Sequence, residues 1–88
     1  MSFTVAWKAE AERRLATIWT EAMDRNAVTL AASVIDKALK SDPENLGESR
    51  GRTRRILLED PLGVIFQVSP QDRMVSVLTV WRFESGRR

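Results

Sequence analysis

The apolar residues of this chain change their period once. Between Ala9 and Ser41 they recur every third or fourth position; from Arg55 onward they recur every second. The first spacing lays one stripe along a helix, and the second puts alternate side chains on one face of a strand. A chain of 88 residues holding the two patterns in separate blocks is constrained to helices gathered on one face of a small sheet.

The blocks resolve into elements. Phe3, Val5 and Trp7 alternate with Thr4 and Ala6, which predicts a short half-buried strand. Ala11, Leu15, Ile18, Trp19, Ala22 and Met23 make the stripe of a first helix from Ala9 to Met23, with Glu10 and Glu12 at its positive end. Asp24-Arg25-Asn26 interrupts the pattern, and Asp24 or Asn26 is placed to cap the next helix. Val28, Ala31, Ala32, Ile35 and Leu39 form its stripe, which Leu30 and Val34 widen, and Ser41-Asp42-Pro43 stops it. So short a link predicts an antiparallel helical hairpin.

Residues 42–53, with Pro43, Gly47 and Gly51, read as a polar loop. A strand follows over Arg55–Glu59, then a turn at Asp60-Pro61-Leu62-Gly63. In the next strand Val64, Phe66 and Val68 alternate with Ile65, Gln67 and Ser69. Pro70-Gln71-Asp72 makes a hairpin loop. The segment from Met74 to Phe83 is apolar on both faces, as a central strand would be, and Ser85 to Arg88 form a tail. The expected architecture is α+β, β-α-α-β-β-β, in one domain over residues 1–88. The antiparallel helical hairpin covers one face of a twisted, mainly antiparallel sheet, and the other face stays open.

Composition removes several kinds of chemistry. The chain has no cysteine, histidine or tyrosine. Disulfide frameworks and zinc sites built on Cys or His are therefore excluded, as is imidazole acid–base catalysis. Asp24, Asp36 and Asp42 lack metal-ligand spacing and read as caps or solvated helix charges. No cofactor or metal is expected. The N-terminus lacks the pattern of a secretory leader, and no apolar run is long enough for a membrane span, so the expected location is the cytoplasm.

Charge divides unevenly. Residues 1–49 carry six basic and eight acidic side chains, a net of −2. Residues 50–88 carry eight basic and four acidic, a net of +4, and all eight are arginine. Arg50, Arg52, Arg54 and Arg55 crowd into six residues just before a strand. A guanidinium is planar, forked and always charged, so this cluster is a candidate site for phosphate or an acidic surface. In a strand Arg54 and Arg55 point to opposite faces, so both cannot serve one site. Strict alternation puts Arg82 on the face of Met74, Leu78 and Val80, where an arginine needs a partner or an opening. Trp7, Trp19 and Trp81 fall on predicted core stripes and read as packing residues rather than base-stacking ones. Arg87 and Arg88 read as tail.

The ordered set of residues resembles the RelE/ParE superfamily of type II toxins. It comprises Trp7 ending the first strand, Leu15, Trp19 and Ala22 on the first helix, and Asp42-Pro43 closing the second. Gly47-Glu48-Ser49-Arg50, Arg54-Arg55-Ile56 and Pro61 to Val68 follow, then Asp72-Arg73 and Val80-Trp81-Arg82-Phe83. The resemblance implies a toxin held inactive by a cognate antitoxin that wraps it with a helix and an extended segment. It implies one of two targets, mRNA on the ribosome or DNA gyrase. For ribosome-dependent cleavage it implies Arg52, Arg82 and Glu48 as catalytic residues, with Glu48 the base, and Arg50, Arg54 and Arg55 as substrate-binding residues. The chain departs from the nuclease pattern in two places. Leu62-Gly63-Val64 holds no arginine, and Phe83 stands where an aromatic hydroxyl is expected. A non-catalytic gyrase inhibitor and a nontoxic binding member of the family are the alternatives.

Overall fold

The computed structural model describes residues 2–83, so the tail arginines Arg87 and Arg88 lie outside the described residues. Strand β1 (Thr4–Trp7) leads into helices α1 (Ala9–Glu21) and α2 (Arg25–Ser41). A 3-10 turn (Pro43–Asn45) follows, then strands β2 (Glu48–Ser49), β3 (Arg54–Glu59), β4 (Leu62–Ser69) and β5 (Met74–Arg82). The five strands form one sheet in the order β1-β5-β4-β3-β2. β1 runs parallel to β5, and every other pair is antiparallel.

The core follows from the alternation. Leu62, Val64, Phe66 and Val68 of β4 point toward the helices and are buried, as are Val75, Val77 and Val80 of β5. Ala11 of α1 and Val28, Ala31, Ile35 and Leu39 of α2 close over them. The small Ala11 and Ala31 let the helices approach the sheet, and Phe66 on the middle strand fills its centre. Polar links fix the layers to each other. The Trp7 indole donates to Asp36 Oδ1 at 3.3 Å, and Asp36 also pairs with Lys40 at 3.1 Å. Beyond Trp7 the chain leaves the sheet, so β5 loses its neighbour there; Arg14 Nε takes up the Val80 carbonyl at 3.1 Å.

The α+β class, the helical hairpin on one face and the open opposite face match the expectation from sequence; several details differ. Helix α1 stops at Glu21 because Ala22 is extended, which leaves Met23 in the link and 99% exposed. Arg25 caps the broken end, donating to the Trp19 and Thr20 carbonyls at 3.0 and 2.8 Å while its guanidinium stacks on the Trp19 ring. Trp19 itself is 44% exposed. Leu30 (66% exposed) and Val34 do not widen the buried stripe, since nothing packs on the outer side of α2 among the described residues. Asp24 occupies the cap position of α2, but its side chain makes no cap hydrogen bond.

The sheet differs from expectation as well. The region read as loop contains β2, a two-residue strand paired with Arg55 and Ile56. β5 is an interior strand, but β4 is the middle one. A β-bulge interrupts the β4–β5 ladder: Phe66 pairs with Val77 and Ile65 with Thr79, so Leu78 is an extra residue. It reverses the parity of everything after it. Val80 therefore joins Val75 and Val77 in the core, and Arg82 emerges on the helix side rather than with Met74 and Leu78.

Candidate nucleic-acid interface

Residues paired directly across a sheet share a face, so the register maps the side without helices. From β2 to β5 it carries Glu48, then Arg54, Ile56 and Leu58, then Gly63, Ile65, Gln67 and Ser69, then Met74, Ser76, Thr79 and Trp81. One end of this face is polar, with Arg54, Gln67 and Ser76 in a single row. The other is apolar, with Leu58, Gly63 and Trp81 in a row four residues along β4. Glu48 pairs with Ile56, two residues from Arg54, a diagonal separation of about 7–8 Å between such positions. A carboxylate and a guanidinium thus stand on the same open face.

The arginine loop divides by function of position. Arg50 N–H closes the loop on the Arg54 carbonyl at 2.7 Å, and its guanidinium meets Glu48 at 3.4 Å in an exposed pair. Arg52 and Arg54 are exposed and have no side-chain partner among the described residues. Arg52 borders a pocket of about 180 Å³ on the helix side of this edge, with Ser49, Thr53 and Arg55. Arg55 is committed locally: it donates to the Leu46 carbonyl at 2.6 Å and the Gly47 carbonyl at 3.2 Å, fastening the 42–47 segment to β3.

Arg82 stands apart from the cluster, on the opposite face and at the far end of the sheet. It forms a two-pronged ion pair with Asp24 in the helix link, both contacts 3.1 Å. That hydrogen bond to Arg82 holds the Asp24 carboxyl below its ordinary range. The structure therefore gathers Glu48, Arg50 and Arg54, with Arg52 at the margin, and places Arg55 and Arg82 elsewhere. Sequence reasoning put Trp81 in the core; the bulge that turns it to the open face leaves no mark in the residue pattern.

Two further features complete the surface. An apolar groove of about 550 Å³ runs between α1 and α2, lined by Leu15, Ala16, Trp19, Val28 and Ala32. No cluster of His, Cys, Asp or Glu able to hold a metal ion occurs among the described residues. No helix among them is long and apolar enough to cross a membrane.

No protein-family model matches the sequence, and no curated protein matches it. Solved structures do. A chain of the toxin–antitoxin complex RelBE2 from Mycobacterium tuberculosis superposes with a TM-score of 0.76 at 14% identity, covering 93% of this chain and 92% of that one. A chain of the chromosomal ParDE toxin–antitoxin system from P. aeruginosa gives 0.70 at 16% identity, covering 93% and 97%. TrmO from Pseudomonas aeruginosa gives 0.62 at 22% identity, but only 35% of TrmO is covered. With nearly complete mutual coverage of the first two, the chain has the RelE/ParE fold.

Proposed function

We propose that this protein is the toxin of a type II toxin–antitoxin pair, and that it arrests translation by cutting mRNA on the ribosome. The observation that carries the reading is the placement of Glu48 and Arg54 on one open face, with Arg50 paired to Glu48 and Arg52 exposed at the same edge of the sheet. RNA supplies its own nucleophile. Glu48 takes the proton of a 2′-hydroxyl, and the 2′-oxygen attacks the adjacent phosphorus. The 5′-oxygen then leaves, taking a proton from solvent, to give a 2′,3′-cyclic phosphate and a 5′-hydroxyl end. Arg54 offsets the charge that builds on the phosphorane, the kind of interaction that contributes most to such reactions. Arg50 and Arg52 hold the flanking phosphates. The antitoxin is the partner, and the apolar groove between α1 and α2 is its seat for a helix.

A second reading has its own support. The apolar half of the open face, with Leu58 56% exposed beside Ile56, Ile65 and Trp81, suits a protein target. That would make the chain a non-catalytic inhibitor of DNA gyrase. A reconstituted translation reaction with new RNA ends mapped at the A-site codon separates the two. Wild type should give codon-aligned cuts, and Arg54→Ala should slow them on the order of 100-fold. Glu48→Gln should slow them too. Uncut mRNA with wild type, together with inhibited supercoiling by gyrase, would transfer the proposal to the second reading.

A further inference from the structure

We infer that Trp81 is a stacking platform for one unpaired nucleobase of the RNA strand that Arg54 anchors; the inference rests on the RNA reading above. The chain has three tryptophans, and two of their indole N–H groups are engaged. Trp7 donates to Asp36 and Trp19 to the Thr29 hydroxyl, at 3.3 and 3.0 Å. The Trp81 N–H has no partner among the described residues. The register sets this ring on the face without helices, half-buried.

Gly63 explains how the ring lies. Trp81 pairs with Gly63, and a Cβ built on that glycine would come within 2.6 Å of Cε2 and Cζ2 of the indole. It would also meet the Leu58 side chain at 2.9 Å. The missing side chain therefore lets the ring settle onto the strand, with Leu58 along its border. The indole lies against the strand at Gly63 and is only half-buried, which leaves part of its surface accessible, with a spare donor on the ring. A base laid on that surface gains stacking area, and the N–H can reach its carbonyl or ring nitrogen.

Charge and spacing select the occupant. Arg54 shares the face; it lies four residues along the strands and two strands across, about 16 Å away at the rise and spacing of a sheet. A short unstacked stretch of polynucleotide spans that distance, with phosphate at one end and a base at the other. Gln67, Ser76 and Thr79 on the same face offer donors and acceptors between them.

The test is binding of a fluorescein-labelled hexamer of uridine to the full chain, followed by anisotropy over a range of salt. Wild type should bind. Trp81→Ala should weaken binding on the order of 10- to 100-fold, the loss of one stacked base. Its dependence on salt should not change, because no phosphate contact is lost. Trp81→Phe, which keeps an aromatic surface and loses the donor, should fall in between with an unchanged melting temperature. Arg54→Ala should instead flatten the salt slope by about 0.7. Equal affinities for wild type, Trp81→Phe and Trp81→Ala, with Arg54→Ala weakened, would overturn the platform and leave the RNA reading standing. No binding by wild type would overturn both.

Discussion

Arg54 and Arg55 are neighbours in sequence and have opposite fates. The pleat sends Arg55 toward the 3-10 turn, where two carbonyls take its guanidinium, and sends Arg54 to the open face, where none does. This division was legible in the sequence as alternation, but which of the pair faced the loop was not, because β2 had to be in place first. Asp24 gives the sharper residue-scale test. Its carboxyl is held below its ordinary range by the hydrogen bond from Arg82, so the pair stabilises the fold at neutral pH. A depressed folded value means that this contribution is present above about pH 4 and is lost as pH falls through the folded value. Asp24→Asn should therefore melt below wild type from pH 7 to about pH 5. The gap should close in more acid solution, as thermal melts at stepped pH would show.

At the scale of elements, the long periodic segments were readable and the short or irregular ones were not. Thirteen residues of α1 and seventeen of α2 repeat the helical stripe often enough to declare it. Two residues of β2 have no period to show, and its position rests on Gly47 instead. Gly47 has φ of +64°, and a Cβ there would collide with the Ile56 carbonyl. Gly47→Val should thus detach β2 and cost about 1–3 kcal/mol, measured as a lower urea midpoint. Periodicity also overstated the core. Leu30, Val34, Trp19 and Met23 satisfy the stripe by spacing, but a two-helix layer leaves them exposed outside the buried core. The apolar groove beside Trp19 is the visible result.

The whole molecule is a single helical layer on a single sheet, so its stability concentrates where the two meet. Ile35 is fully buried at that junction. Ile35→Asp puts an unpaired charge there and should leave the chain unfolded at 25 °C, checked by circular dichroism. Arg54→Ala, on the uncovered side, should melt like wild type. The same two-sided plan keeps the proposed chemistry apart from the proposed antitoxin seat: the helices carry one, the bare sheet the other. Because Leu78 is supernumerary in the ladder, Val80 and Arg82 point to the helices and Trp81 to the open face. The ladder therefore treats that residue as an insertion it absorbs. With the Leu78 codon deleted, Val77, Thr79, Val80, Trp81 and Arg82 would alternate without a break, and each would keep the side it has now.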